Sequence, residues 1–318
     1  MDRRSFLSSL ALLGLQGCLL DARGAIRLTD SDSKARKGRR GALPRFDEDL
    51  VCIISDLHTH PGDYQEDKLR RTIDDILQLN PLPRNVIALG DLAYLTGQPE
   101  EYNRLKEVIA PLEASGIQLT LAMGNHDRRG HFAAAFPQYA ARSLMKDRYV
   151  YVVETPRADF IVLDSLQEST DPHKWITPGA LSDDEKQWLT ERLSTYRTKP
   201  VFVMSHHPLE EIGIKKLLIE SPTCCGYIHG HNHIWRPGWV HQGYRDRTIL
   251  PTLIVPSTGH WGDIGYVLLE LGEAEAIARL HQYEYFFPKP LDEGEPKPVQ
   301  WSRMEEEHQG GLCHFAYR

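Results

Sequence analysis

The sequence predicts an α/β fold in which two mixed β-sheets pack face to face, with helices on the outside. Short apolar runs rich in Val, Ile and Leu alternate with amphipathic helical patterns through the first two thirds of the chain. Later apolar runs follow one another closely and are separated by short turns. Alternation of strand and helix favours parallel strands, whereas closely spaced strands favour antiparallel pairing, so both sheets should be mixed.

Five of the apolar runs have the length and composition of strands buried on both faces, namely 51–55, 85–89, 119–123, 201–205 and 225–228. A residue with metal-ligand chemistry follows each run: Asp56, then Asp91, then Asn125, His126 and Asp127, then His206, and last the histidine-rich stretch 229–233. Ligands of such sheets bind beyond the carboxyl ends of the strands. We therefore expect these groups to converge on one crevice.

Helices are predicted over 66–79, over 99–113 and after Ser182, where Ser182 to Glu185 has the sequence of a capping box. Further strands are predicted at 148–153, 159–163, 248–255, 264–271 and 276–285. We assign residues 46–287 to one domain. Residues 288–318 are rich in Pro and Glu, and they are predicted to form an irregular C-terminal tail.

The N-terminus resembles an export signal. Arg3 and Arg4 precede an apolar stretch over 7–20 that is shorter than the roughly 20 residues of a spanning helix. This pattern resembles a twin-arginine signal over 1–25, followed by a basic linker over 26–45. The run 15–18 also resembles a lipobox, so Cys18 is a candidate lipid anchor, and simple cleavage is the alternative. The protein is expected to be a bacterial protein that is exported. It should be either periplasmic or anchored on the outer side of the membrane, without a transmembrane span.

Composition limits the function classes. The net charge of −7 argues against broad nucleic-acid binding, which needs a basic face. The five cysteines form no CxxC pair, which argues against a zinc ribbon. The chain contains 15 histidines, several of them in short clusters. Histidine is therefore the residue type whose number and clustering indicate a functional site.

The donors after the five strands exceed the needs of one metal ion. They comprise two carboxylates, four imidazoles and one amide oxygen: Asp56, Asp91, His58, His206, His231, His233 and Asn125. In extended backbone, the two-residue spacing within Asp56/His58 and within His231/His233 would point both side chains to one side. The set fits two ions that share a carboxylate. Mixed nitrogen and oxygen donors suit Mn, Fe or Zn.

The order of Asp56-x-His58, Gly90-Asp91, Gly124-Asn125-His126-Asp127, His206 and Gly230-His231-x-His233 resembles the calcineurin-like metallophosphoesterase family over roughly 50–287. The resemblance implies hydrolysis of phosphodiesters or phosphomonoesters by a metal-bridging hydroxide. It implies that Asp56, His58 and His233 hold one metal, that Asn125, His206 and His231 hold the other, and that Asp91 bridges them. It leaves His126, paired with Asp127, to assist catalysis. His207 would be a bystander, although an exchange of roles with His206 stays open.

Arg129 is a candidate substrate-binding residue, together with Asn125. Some cyclic-nucleotide and glycerophosphodiester phosphodiesterases of this family have Arg or Lys at this place after the motif, and a solvated arginine is the alternative. Three tryptophans near the motifs are candidates for stacking on an aromatic leaving group or for packing: Trp235, Trp239 and Trp261. The expected partner is a small phosphoester. A non-catalytic metal- or phosphate-binding lipoprotein and a nuclease are the competing functions.

Overall fold

The computed structural model describes residues 44–62, 64–241, 249–286 and 311–318. The predicted export signal, Cys18 and all but the last two residues of the basic linker lie outside these ranges. Among the described residues, no helix has the length and apolar character that crossing a bilayer requires.

Two six-stranded sheets form the centre of the described structure. From edge to edge, the first contains β12 (Leu312–Ala316), β11 (Glu275–Phe286), β10 (Gly262–Leu271), β1 (Phe46–Ile54), β2 (Leu82–Ala88) and β3 (Gln118–Leu121). The second contains β4 (Tyr151–Glu154), β5 (Asp159–Val162), β6 (Val201–Ser205), β7 (Cys224–His229), β9 (Ile249–Ile254) and β8 (Arg236–His241). The helices are α1 (Tyr64–Gln78), α2 (Pro99–Ala114), α3 (Arg129–Ala135), α4 (Pro137–Ala140), α5 (Asp183–Thr195), α6 (Leu209–Ile212) and α7 (Lys215–Glu220).

Both sheets are mixed, as predicted. In the first, β1, β2 and β3 run parallel, while β10, β11 and β12 are antiparallel to their neighbours. In the second, β5, β6, β7 and β9 run parallel, and β4 and β8 are antiparallel edge strands. The five strands that end at candidate ligands, β1, β2, β3, β6 and β7, are all parallel members of their sheets, so their carboxyl ends share one side of the molecule.

Three apolar clusters show why the predicted strands are buried on both faces. Along β1, Val51 and Ile53 belong to the cluster between the two sheets. Cys52 and Ile54 belong to the cluster that contains the apolar faces of α1 and α2. A third cluster joins the outer face of the second sheet to α5, α6 and α7. Because alternate side chains of a strand point to opposite faces, this produces four layers, and the predicted architecture is confirmed.

The C-terminal tail differs from the prediction. Residues 312–316 are not irregular, since they form β12 and pair antiparallel with β11. Phe315 is fully buried between the sheets, where its ring lies 5.3 Å from that of Phe202. The alternation of buried and exposed side chains along β12 is that of a strand with one face in the core.

The capping box is only half formed. The Ser182 hydroxyl accepts a hydrogen bond from the Glu185 backbone N–H at 3.2 Å, as a helix cap should. The Glu185 carboxyl accepts the backbone N–H of Asp164 at 2.9 Å. Glu185 thus connects α5 to the segment that follows β5.

Candidate metal centre

The backbone turns sharply where the ligand-bearing strands end. Asp56, His58, Asp91, His231 and His233 all have positive φ, between 44° and 69°. The expectation that extended backbone aligns each pair of ligands is therefore wrong, because both members of each pair adopt the left-handed conformation. Non-glycine residues adopt it rarely, and it concentrates at functional sites.

Asp56, His58 and His233 form the first cluster. The His58 Nε2 lies 3.4 Å from the His233 Nε2, which in turn lies 3.0 Å from Asp56 Oδ1. The other ring nitrogens face backbone carbonyls, with His58 Nδ1 at 3.0 Å from the Tyr94 oxygen and His233 Nδ1 at 3.0 Å from the Trp261 oxygen. These carbonyls accept Nδ1–H and fix both tautomers.

Asn125, His206 and His231 form the second cluster with Asp91. The His206 Nε2 lies 3.1 Å from Asn125 Oδ1, 3.2 Å from His231 Nδ1 and 3.2 Å from Asp91 Oδ2. The His206 Nδ1 donates to the Leu89 carbonyl at 2.8 Å. The Nε2 nitrogen of His206 therefore lies beside three other atoms that could all serve as metal ligands.

Asp91 lies between the two clusters. Its Oδ2 is 3.2 Å from His206 Nε2 and 3.6 Å from His58 Nε2. Its Oδ1 accepts the backbone N–H of His126 at 2.9 Å, which fixes the carboxylate. One carboxylate oxygen thus faces an imidazole of each cluster, as a bridging ligand would.

The arrangement fits cations and is unfavourable without them. Because His58 and His233 carry their protons on Nδ1, two lone pairs face each other across 3.4 Å. The buried Asp56 Oδ1, 3.0 Å from His233 Nε2, accepts no hydrogen bond from the described residues. Unpaired buried acceptors are costly, and a metal ion between them would satisfy all of them at once.

The charges of the site support the same conclusion. Burial alone would raise the pKa of Asp91, but the imidazoles of His206 and His126 hold this pKa well below its ordinary value. Burial would lower the pKa of His206, but Asp91 beside it raises that pKa to about 9. Burial lowers the pKa of His231 to about 4. The carboxylate is therefore ionised and attracts positive charge, while His231 is in the neutral form that binds metals.

Comparison with known proteins identifies the family. Residues 50–235 match the calcineurin-like phosphoesterase family. The chain belongs to the calcineurin-like phosphoesterases. It is thus a metal-dependent phosphoester hydrolase, and the clusters are its candidate sites for divalent metal ions.

The relatives of this phosphoesterase include two named as phosphodiesterases. It is 31% identical over 231 residues to a probable cyclic nucleotide phosphodiesterase of Rhodopseudomonas palustris, covering 65% of this chain and 79% of the relative. It is 29% identical over 146 residues to a probable glycerophosphodiester phosphodiesterase of Arcobacter nitrofigilis, covering 46% of this chain and 50% of the relative. A dimetal phosphatase from Danio rerio shares the fold, with a TM-score of 0.59 at 14% identity over 86% of this chain and all of that one.

His126 lies at the edge of the centre without the partner expected for it. Its Nδ1 bonds the Leu95 carbonyl at 2.6 Å, and its Nε2 lies 3.9 Å from Asp91 Oδ2. Its side chain is 15% exposed, so Nε2 can meet a substrate. The predicted pairing of His126 with Asp127 is replaced by this bond to a carbonyl.

Asp127 supports the loops behind the phosphoesterase site. Its carboxylate accepts the backbone N–H groups of Leu92, Ala93 and Gly124 at 2.8–3.2 Å and the Tyr102 hydroxyl at 3.0 Å. Those backbone groups flank Asp91 and Asn125. The position predicted to be catalytic is thus a positioning residue, which joins the turns after β2 and β3.

Arg129 is not solvated, and its guanidinium is engaged by the protein itself. Nε and Nη2 donate to the two oxygens of Asp164 at 2.8 and 2.7 Å, and Nη2 also donates to the Leu166 carbonyl at 2.8 Å. Asp164 is fully buried. The carboxylate that follows β5 is therefore the partner of Arg129 in a bidentate ion pair.

Four tryptophans occupy different environments, in the core, on the surface and beside the histidines of the site. Trp235 is buried between the sheets, and Trp239 is 70% exposed on β8. Trp261 lies against His233, with ring centroids 4.4 Å apart. Trp175, which the sequence did not single out, lies 4.8 Å from the His126 ring.

Two further histidines adjoin the ligands. The His260 ring lies 4.2 Å from that of His58. Its sequence signal is the same as that of the ligands, since it follows the apolar strand β9 through a short polar turn. His207 is fully buried, with Nδ1 at 2.8 Å from the Ser165 hydroxyl. One of its ring nitrogens lies within 4.8 Å of ring nitrogens of His206 and His231.

Proposed function

We propose that this phosphoesterase hydrolyses phosphodiesters of small organic molecules at a binuclear metal centre. The position of Asp91 Oδ2 between two clusters of inward-facing imidazoles supports two metal positions with a shared carboxylate. Both curated relatives described above are named as phosphodiesterases, which favours diesters over monoesters.

Each side chain has a defined task in this proposal. Asp56, His58 and His233 would hold one ion, and Asn125, His206 and His231 would hold the second, with Asp91 as a ligand shared between them. Paired ions in such sites lower the pKa of a coordinated water and bind the oxygens of the phosphate. Mn, Fe and Zn all suit this donor set.

His126 moves the proton. The Leu95 carbonyl holds Nδ1–H, so the second proton of the imidazolium is carried on Nε2, the nitrogen on the side of Asp91. From there it would be donated to the oxygen that leaves phosphorus. Such a group contributes typically about 100- to 10,000-fold to the rate.

Two variants distinguish metal binding from proton transfer. Asp91→Ala should lose both bound metal and activity, because each ion loses a ligand. His126→Ala should keep its metal and lose most of its turnover. Metal content is measured by elemental analysis after loading with Mn, and turnover with bis-p-nitrophenyl phosphate. The control is His314→Ala, an exposed histidine on β12 that pairs with Glu275.

The substrate class is tested with a pair of reporters. Wild-type protein should hydrolyse bis-p-nitrophenyl phosphate faster than p-nitrophenyl phosphate. A preference for the monoester would overturn the diester assignment, and full activity of His126→Ala would overturn its role. Failure to hydrolyse either ester with Mn, Fe or Zn would favour a non-catalytic metal- or phosphate-binding protein.

We also propose that the chain is exported by its N-terminal residues, which lie outside the described ranges. Replacement of both Arg3 and Arg4 by Lys should leave the protein in the cytoplasm, because the arginine pair is the feature that resembles the signal. Cell fractionation measures this. Lipid labelling that is equal in wild type and Cys18→Ala would exclude the lipid anchor.

A further inference from the structure

Trp175 lies beside the residue proposed to donate the proton. It belongs to the loop between β5 and α5, and its ring centroid is 4.8 Å from that of His126, with 40° between the ring planes. The side chain is 44% exposed. Part of the indole therefore remains open to a molecule that approaches His126.

Two further exposed apolar residues are connected to Trp175, one through His126 and one along the chain. Leu95 is 43% exposed, and its carbonyl accepts the Nδ1–H of His126. Ile176, the neighbour of Trp175, is 37% exposed. Apolar side chains exposed together at the edge of a polar site commonly mark a place where a ligand binds.

The Trp175 loop is held in place by Arg128. The guanidinium donates to the carbonyls of Ser169 at 2.9 Å and Lys174 at 3.0 Å on the loop, and to that of Thr96 at 3.1 Å. Arg128 follows Asp127 directly, so the turn that supplies Asn125 and His126 also anchors the residue before Trp175. A subsite fixed in this way binds a ligand at less entropic cost than a flexible one.

We propose that Trp175 and Leu95 form a subsite for a planar, apolar group on the leaving side of the phosphoester. This inference rests on the proposed function and deepens it. An aryl group or a nucleobase would stack on the indole face while its ester oxygen meets His126. Glycerol and other small polyols have no flat face for such a contact. The substrate class is therefore phosphoesters with an aromatic group.

The test is the binding of two phosphonates that differ only in their organic group. Phenylphosphonate and methylphosphonate are titrated into Mn-loaded protein by calorimetry. Wild type should bind phenylphosphonate about tenfold more tightly, which is the upper range for one aromatic contact. Trp175→Ala should lose this preference, and Trp175→Phe should keep most of it. The matched control is Trp239→Ala, which removes an exposed tryptophan on β8.

The inference is overturned if Trp175→Ala keeps the wild-type ratio of dissociation constants, or if wild type shows no preference. These outcomes are independent of turnover. Hydrolysis of bis-p-nitrophenyl phosphate by the same wild-type sample tests the proposed function separately. A protein that hydrolyses the diester and has no phenyl preference would keep the function and lose the subsite.

Discussion

Arg129→Ala distinguishes a structural arginine from one that binds substrate. The change leaves the Asp164 carboxylate, which is fully buried, without its bidentate partner. The backbone N–H groups of Tyr149 and Leu166 still donate to it, at 2.9 and 3.2 Å, but they carry no full charge. Removal of one partner from a buried ion pair typically costs about 3–5 kcal/mol. At about 2–4 °C per kcal/mol for a domain of this size, the melting temperature should fall by roughly 10 °C.

The assay is thermal unfolding followed by circular dichroism, with Mn-loaded wild type, Arg129→Ala, Asp164→Asn and the double variant. The double variant should be more stable than Arg129→Ala alone, because no uncompensated charge remains in the core. The KM for bis-p-nitrophenyl phosphate should change little in whatever fraction remains folded. An unchanged melting temperature together with a raised KM would refute the structural role and restore the substrate-binding hypothesis.

Three further predictions concern the core, a buried acid and the metals. Phe315→Ala should lower the free energy of unfolding by about 3–5 kcal/mol, because it opens a cavity between the sheets. Denaturant unfolding measures this, and His314→Ala on the same strand should show no such loss. Burial raises the pKa of Glu185 from 4.5 to about 8. Between these pH values the folded state keeps a proton that the unfolded state releases, so the wild-type protein should lose stability as the pH rises through this range. The free energy of unfolding of Glu185→Gln should therefore rise relative to that of wild type by about 1.4 kcal/mol per pH unit from pH 5 to 8. A difference between the two proteins that does not change with pH would contradict this. Removal of metal with a chelator should abolish diester hydrolysis and lower the melting temperature, and addition of Mn should restore both. Activity that survives complete chelation would argue against the metal centre.

The positions of the candidate metal ligands follow from the sequence because they depend on local pattern. Runs such as 51–55 identify themselves as buried strands by composition, and the polar residue after each run must lie at the carboxyl end. Parallel pairing of β1 with β2 then brings Asp56 and Asp91 together, and the packing of the two sheets brings His206, which follows β6, beside them. The left-handed backbone at Asp56, His58, Asp91, His231 and His233 was not predictable, because it follows from how the turns meet each other.

The partners of Asp127 and Arg129 depend on loops whose course no local pattern specifies. Asp127 reaches the backbone after β2, and Arg129 reaches the segment after β5. The Trp175 loop is positioned in turn by Arg128. The strand β12 is a different case, since only His314 among Leu312–Ala316 is polar, so its alternating burial does not show in the sequence. The Pro- and Glu-rich stretch before it suggested an irregular tail.

The positive φ angles at the candidate metal ligands have a consequence for stability. Left-handed backbone costs an ordinary residue roughly 1–2 kcal/mol, and five ligands adopt it in one site. Glycine at these positions would relieve that cost and would also delete a donor. A metal-free protein therefore retains this backbone strain without any contribution from metal–ligand bonds, whereas an ion bound by these donors would also hold their backbone in place. Selection for stability alone would replace these residues, so their presence depends on the phosphoester chemistry that they support.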